Sequence, residues 1–147
     1  MIVISILRIL GTVMALPHTA LGWLLMFIPW WRGTWFPYAP RDVRLHNWTV
    51  HVIAGRLIPK GMGDRFVTGA QTHGSIIFFR DERAWNRESL VRHEERHTRQ
   101  EWLFGPLYVV LYIACFLVNL VRLRDATAAY EAIPFEKDAR KQEHEHG

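Results

Sequence analysis

The chain has 147 residues, half of them hydrophobic, with a net charge of +4 and a pI near 9.6. That is room for one domain with a real core. Its basic residues are interspersed with acidic ones and form no Lys/Arg-only run, which gives no footprint for nucleic acid. A single cysteine, Cys115, excludes an internal disulfide.

In chain order, the first feature is a stretch from Ile9 to Trp31 without Asp, Glu, Lys or Arg. A bilayer span needs about 20 apolar residues, so this run is long enough to cross. It lacks the short apolar region and clean small-residue cleavage site of a signal peptide. It reads as a retained N-terminal apolar anchor helix over residues 1–31, bent at Pro17. Trp30, Trp31 and Trp35 gather where the run ends, as an interfacial aromatic belt would. Membrane lipid is therefore an expected partner and the protein reads as membrane-associated. Arg8 before the run and Arg32, Arg41 and Arg44 after it leave the side of the membrane open. Residues 32–40 form a Pro/Gly/aromatic connector.

Residues 43–79 carry short β-like runs, "NWTVHVIAG", "DRFVTGA" and "GSIIFF", separated by Gly and Pro. Arg80 to Asn86 reads as a polar loop. Asn86 can cap a helix that runs to about Leu103, where Gly105-Pro106 ends it. Leu107 to Leu123 is a second helix, apolar all round. Asp125 can cap a third helix, "ATAAYEA", and Pro134 opens a final short one, with a polar tail over residues 141–147. The expected fold is α+β and mainly helical. It comprises an active-site helix, an apolar antiparallel helix and a Glu-bearing helix, with a small β-sheet and the anchor. The domain proper is placed at residues 32–140.

The chemistry sits on the helix after Asn86. His93-Glu94-Glu95-Arg96-His97 is an HExxH motif, which puts His93 and His97 on one helix face, able to reach one metal ion. Glu94 is then placed to act on the metal's water rather than on the metal. A chain with eight histidines yields such a pentapeptide by chance only occasionally. The competing reading is a solvated helix face, with Arg92, Glu95, Arg96 and Arg99 on its water side. Gln100, seven residues after His93 on the same face, suits a hydrogen bond behind a metal ligand.

A zinc site needs a third protein ligand, and the continuation HExxHxxGxxH is absent. The candidates are carboxylates: Asp125, Glu131, Glu136, Asp138, Glu143 and Glu145. With three antiparallel helices, the third regains the level of the motif in the low 130s, so Glu131 and Glu136 are both within reach.

"HEERHTRQEWLFGPLY", an apolar helix and "YEAIPFEKDA" together resemble a group of small uncharacterised bacterial HExxH proteins. Their pattern is HExxHxxQ, a Gly-Pro turn with an aromatic soon after, a hydrophobic stretch, and a tyrosine ahead of an N-P-F-E-x-E-A-like block. The matching residues are His93, Glu94, His97, Gln100, Gly105, Pro106, Tyr130, Pro134, Phe135 and Glu136, with Asp138 or Ala139 closing the block. The similarity covers roughly residues 69–140. Ala132-Ile133 replaces the usual Asn before Pro, and Asp138 stands where Glu is frequent. The resemblance implies a gluzincin-like Zn2+ site in which Glu136 is the third ligand and Asp138 supports it.

On this reading the function is zinc-dependent hydrolysis of peptide bonds in a peptide or protein substrate. Glu94 acts as general base, and Tyr130 or His73 is a candidate transition-state stabiliser. Gly74–Phe79 reads first as an ordinary core strand, with a strand edge to which an extended peptide could add as the alternative. The alternative is a catalytically silent, metal-stabilised module that binds a membrane partner. A single crossing by Trp102–Val121 would leave His93 and Glu136 ~30 Å apart, so a shared metal and a simple spanning second helix exclude each other. The second helix is therefore expected to be buried or lipid-dipping, packed on the anchor and the active-site helix with neighbours on every side.

Overall fold

The computed structural model describes residues 2–27, 40–54 and 69–144. These residues form an α+β fold in the order α1 (Ile2–Met14), α2 (Leu16–Phe27), β1 (Pro40–His46), β2 (Thr49–Ala54), β3 (Ala70–His73), β4 (Ile76–Phe79), α3 (Glu82–Trp85), α4 (Glu88–Phe104), α5 (Leu107–Leu123), α6 (Ala126–Glu131) and α7 (Pro134–His144). The expected connector, apart from Pro40, lies outside the described residues, as does most of the "DRFVTGA" run.

The strands form one mixed sheet in the order β1-β2-β4-β3. β1 and β2 are an antiparallel hairpin, β2 runs parallel to β4, and β3 pairs antiparallel with β4. Ile76, Ile77, Phe78 and Phe79 of β4 are wholly buried, which explains why this strand lacks polar alternation: both of its faces are covered. Each such side chain stabilises the fold by ~1.5–3 kcal/mol. Ile77 and Phe79 pack with Ala84, Trp85, Leu90 and Val91 from α3 and the start of α4. Among the described residues β4 is thus an interior strand, as the core-strand reading of Gly74–Phe79 expects, and the edge beside α4 is β3.

The N-terminal apolar segment is not one anchor helix. It is two helices that break at Ala15, because Pro17 has no N–H to continue the ladder through that turn. α1 lies along α4, and α2 lies against β3 and β4, so residues 2–27 belong to the same fold as the motif helix. Gly11 permits this approach: a Cβ there would stand 2.6 Å from Trp102 Cβ. Gly74, at φ +63, makes the β3–β4 turn in a left-handed conformation, with Thr19 pressed against it. The Thr19 hydroxyl accepts the Ser75 N–H at 2.9 Å.

Two helix starts differ from expectation. The "polar loop" contains α3, capped by Asp81, whose carboxylate accepts the Ala84 N–H at 2.8 Å. Asn86 ends α3 rather than capping α4, which begins after Arg87 without a side-chain cap. Further on, α5 spans the expected residues, Asp125 caps α6 by accepting the Ala128 N–H at 2.7 Å, and Pro134 opens α7. α4 and α5 meet at Gly105-Pro106 with a bend of 113°. α5 is not enclosed by neighbours. Only Tyr108 on it is buried, while Val109, Val110, Ile113, Leu117, Val118 and Val121 are exposed. Among the described residues no single helix is long and apolar enough to cross a membrane.

Candidate metal centre

α4 brings His93 and His97 to one face, and α7 packs along α4 so that Glu136, in its first turn, meets them. His93 Nε2 and His97 Nε2 are 3.0 Å apart. Glu136 Oε2 lies 3.5 Å from His93 Nε2, and Oε1 lies 3.3 Å from His97 Nε2. All three side chains are buried. These separations can be tested against a metal. Ligand bonds of 2.0–2.1 Å in a tetrahedron put donor atoms ~3.3 Å apart, the spacing found here. The cluster His93, His97 and Glu136 could therefore hold a metal ion.

The surroundings fix which atoms face that point. The Gln100 amide N–H groups donate to Phe135 O at 3.1 Å and Asp138 Oδ2 at 2.8 Å. That turns the Gln100 carbonyl oxygen, 2.9 Å away, to accept from His97 Nδ1. The His97 proton therefore sits on Nδ1 and the Nε2 lone pair faces the cluster. Asp138 is itself held by Arg96 through two bonds, at 2.6 and 3.1 Å. The Tyr112 hydroxyl donates to Glu136 Oε1 at 2.6 Å, while Oε2 is buried and makes no hydrogen bond. A buried carboxylate oxygen left in that state is suited to a cation. Burial alone would raise Glu136, but the His93 and His97 imidazoles beside it, with the Tyr112 hydroxyl, outweigh it and hold the carboxyl far below the usual range. Burial would lower His97, yet the neighbouring Glu136 and Glu94 carboxylates keep its pKa above the ordinary value.

Glu94 is buried beside the cluster and not in it. Burial raises its pKa against the pull of His97 and of Thr72, whose hydroxyl donates to Oε2 at 2.7 Å. A carboxylate of raised basicity near the metal position is what a general base requires. Thr72 stands on β3, so the edge strand and the base are joined directly. A cleft of about 330 Å³ runs between β3, α4 and α5, lined by Thr72, His73, Glu94, His97, Tyr130 and Glu136 among others. Both expected stabiliser candidates, His73 and Tyr130, thus face this cleft.

Among the described residues the other candidate carboxylates are placed elsewhere. Glu131 is exposed and outside the cluster, since the turn between α6 and α7 brings the next helix, not α6, onto α4. Asp125 is spent on its cap and Asp138 on Arg96 and Gln100. Glu145 and the Glu143 side chain lie outside the described residues. Glu95 does not belong to a solvated face either: it is buried and bonded to His46 at 2.8 Å. Thr72, Tyr108 and Tyr112 were not singled out from sequence. The two tyrosines carried a signal, being hydroxyl groups one helical turn apart on an otherwise apolar helix. Thr72 carried none.

Comparison with known proteins returned no matching family model, no matching curated protein and no matching solved structure.

Proposed function

We infer that this protein is a membrane-associated zinc-dependent metallopeptidase, with His93, His97 and Glu136 as ligands and Glu94 as general base. The observation that carries the reading is the donor triangle of two imidazoles and one carboxylate at tetrahedral spacing, with a buried glutamate beside it. His₂Glu with an open position is the donor set of zinc hydrolases. Bound there, zinc supplies Lewis acidity and brings a water's pKa towards ~7.

The chain's own groups do the rest. Glu94 takes a proton from the attacking water while Thr72 holds its Oε2, and later returns that proton to the leaving amine. Gln100 and Asp138 keep His97 in the tautomer that binds metal. Among the described residues β3 has a strand partner on one side only, so an extended substrate can add along its other edge, across the cleft. His73 and Tyr130 line that path and are the groups within reach of a developing oxyanion. The exposed apolar side chains of α1, α2 and α5 support lipid as a partner. The resemblance to small gluzincin-like HExxH proteins agrees with this reading.

The small cleft favours a second reading, a metal-stabilised membrane binding module without turnover. Glu94→Gln separates the two. In the enzyme, it keeps about one equivalent of zinc at this site and lowers peptide hydrolysis by ~10²-fold or more. Hydrolysis unchanged by Glu94→Gln, or absent from wild type across varied peptides, sinks the enzyme reading. Loss of zinc on His97→Ala checks the site itself.

A further inference from the structure

The other face of α4 carries a second set of donors. Glu95 lies about half a helical turn round from the His93/His97 face, and there it meets His46 from the end of β1 and His51 from β2. One ligand atom from each of the three residues lies within 4.8 Å of the others. Three elements converge here, with a sequence separation of 49 between His46 and Glu95, so the cluster is not an accident of local spacing.

We propose that His46, His51 and Glu95 form a second divalent-cation site, of zinc type, which clips the β1–β2 hairpin to the back of the motif helix. The first support is the state of His51. The Thr49 hydroxyl donates to His46 O, so it must accept from His51 Nε2–H at 2.8 Å. The lone pair is thereby left on Nδ1, the nitrogen that meets the Trp85 indole, in a residue that lines the adjoining pocket. Thr49 does for His51 what Gln100 does for His97. Among the described residues the one demand on that lone pair is a long 3.2 Å bond from the Trp85 indole.

The second support is charge. The Glu95 side chain is only 11% exposed, and its partners are His46 at 2.8 Å and the Asn47 amide at 3.3 Å. Among the described residues no Lys or Arg lies within 4.0 Å of this carboxylate, although Arg92 lines the same pocket. A buried carboxylate without a fixed cation is costly, and a bound metal ion offsets that cost. The third is access. A pocket of about 420 Å³ opens onto His46, His51 and Glu95 and has room for the waters that complete coordination. His46, half exposed, can swing to close the ligand triangle. Two imidazoles and a carboxylate select zinc or a similar borderline ion over calcium or magnesium.

The test is zinc per chain by elemental analysis on the detergent-purified full-length protein, after equilibration with zinc and gel filtration. Four proteins are compared: wild type, His46→Ala, His97→Ala and the double variant. Two zinc ions in wild type, one in each single variant and none in the double variant support the proposal. A count unchanged by His46→Ala overturns it, whether or not His97→Ala lowers the count. Zinc lost with His46→Ala but kept in His97→Ala supports this site and overturns the metallopeptidase reading, so the two failures are distinguishable. No zinc in any protein overturns both. Because a variant can lose metal by misfolding, thermal unfolding of the His97→Ala protein gives a second readout. Added zinc should raise its midpoint by several degrees, and Glu95→Gln in that background should abolish the rise. A midpoint indifferent to zinc overturns the proposal.

Discussion

Gln100 shows how a residue that never touches the metal position can govern it. Its amide is pinned at the nitrogen end by Phe135 O and Asp138, so its oxygen has one orientation and His97 one tautomer. Gln100→Ala removes that constraint without removing a ligand. Zinc affinity, measured by competition with a chromophoric chelator, should weaken about 10- to 100-fold. Unchanged affinity would mean that the Tyr108 hydroxyl, 3.0 Å from the same nitrogen, is sufficient to hold the ring. His73 makes a different kind of prediction. Burial, with the charge of nearby His18, lowers it from 6.5 to about 4. The unfolded chain therefore takes up this proton first as pH falls. The stability His73 contributes is complete above pH ~6.5 and is lost progressively towards pH ~4, to a total of about 3 kcal/mol. Urea midpoints at pH 7 and 4.5 should converge in His73→Leu relative to wild type; equal pH dependence in both would refute the assignment. At this scale the sequence revealed what local spacing encodes. His93, Glu94, His97 and Gln100 lie on one helix, so their arrangement follows from helical geometry. Glu136 needed the resemblance, because spacing alone left Glu131 equally eligible. Thr72 was illegible because its role depends on a strand whose register the sequence does not state.

Among the elements, those with chemical punctuation were readable. Gly105-Pro106, Asp125 and Pro134 mark the ends of α4, α6 and α7 by removing or satisfying particular backbone groups. β1 and α3 lacked such marks. β1 alternates Val43 and Leu45 with charged residues, but both apolar side chains are exposed, Leu45 at 85%, so its pattern does not report a core face. α3 is one turn long, too short for periodicity to register. The β1–β2 turn is unusual in its second residue. Asn47 and Trp48 both have positive φ, at 45° and 70°. Two-residue hairpins of this kind favour Asn-Gly, and a bulky residue in that region is strained. Trp48→Gly should raise the free energy of unfolding by about 1 kcal/mol, the relief of strain being partly offset by a more disordered unfolded chain. Denaturant unfolding measures it. A destabilised variant would show that the half-exposed Trp48 ring makes contacts worth more than the strain.

For the molecule as a whole, the distribution of apolar surface is the unsettled part of a folded chain in water. α5 presents Val110, Leu117, Val118 and Val121 outward, while Tyr108 and Tyr112 in its first turns reach the cluster of His93, His97 and Glu136. One helix thus has a chemical end and an apolar end. Substituting Leu117→Lys with Val118→Lys leaves the tyrosines untouched. Co-flotation with phosphatidylcholine vesicles should fall by about tenfold or more, while zinc content stays constant. Equal flotation would remove α5 from the membrane-facing surface. The sequence revealed the apolar composition of α5 and α1–α2 but not their exposure, because an enclosed helix and a lipid-facing helix have the same apolar circumference.

The contacts at the Ala15 break carry a practical warning about handling. His18 Nδ1 lies 2.6 Å from Glu101 Oε2, which also accepts the Gly74 N–H, and Thr19 completes the turn at Ser75. Deleting residues 1–31, the habitual shortcut for working without detergent, would strip His18 from a buried carboxylate in the helix that carries HExxH and Thr19 from the Ser75 N–H. The truncated protein would be damaged rather than trimmed, and its inactivity would say nothing about the native chain.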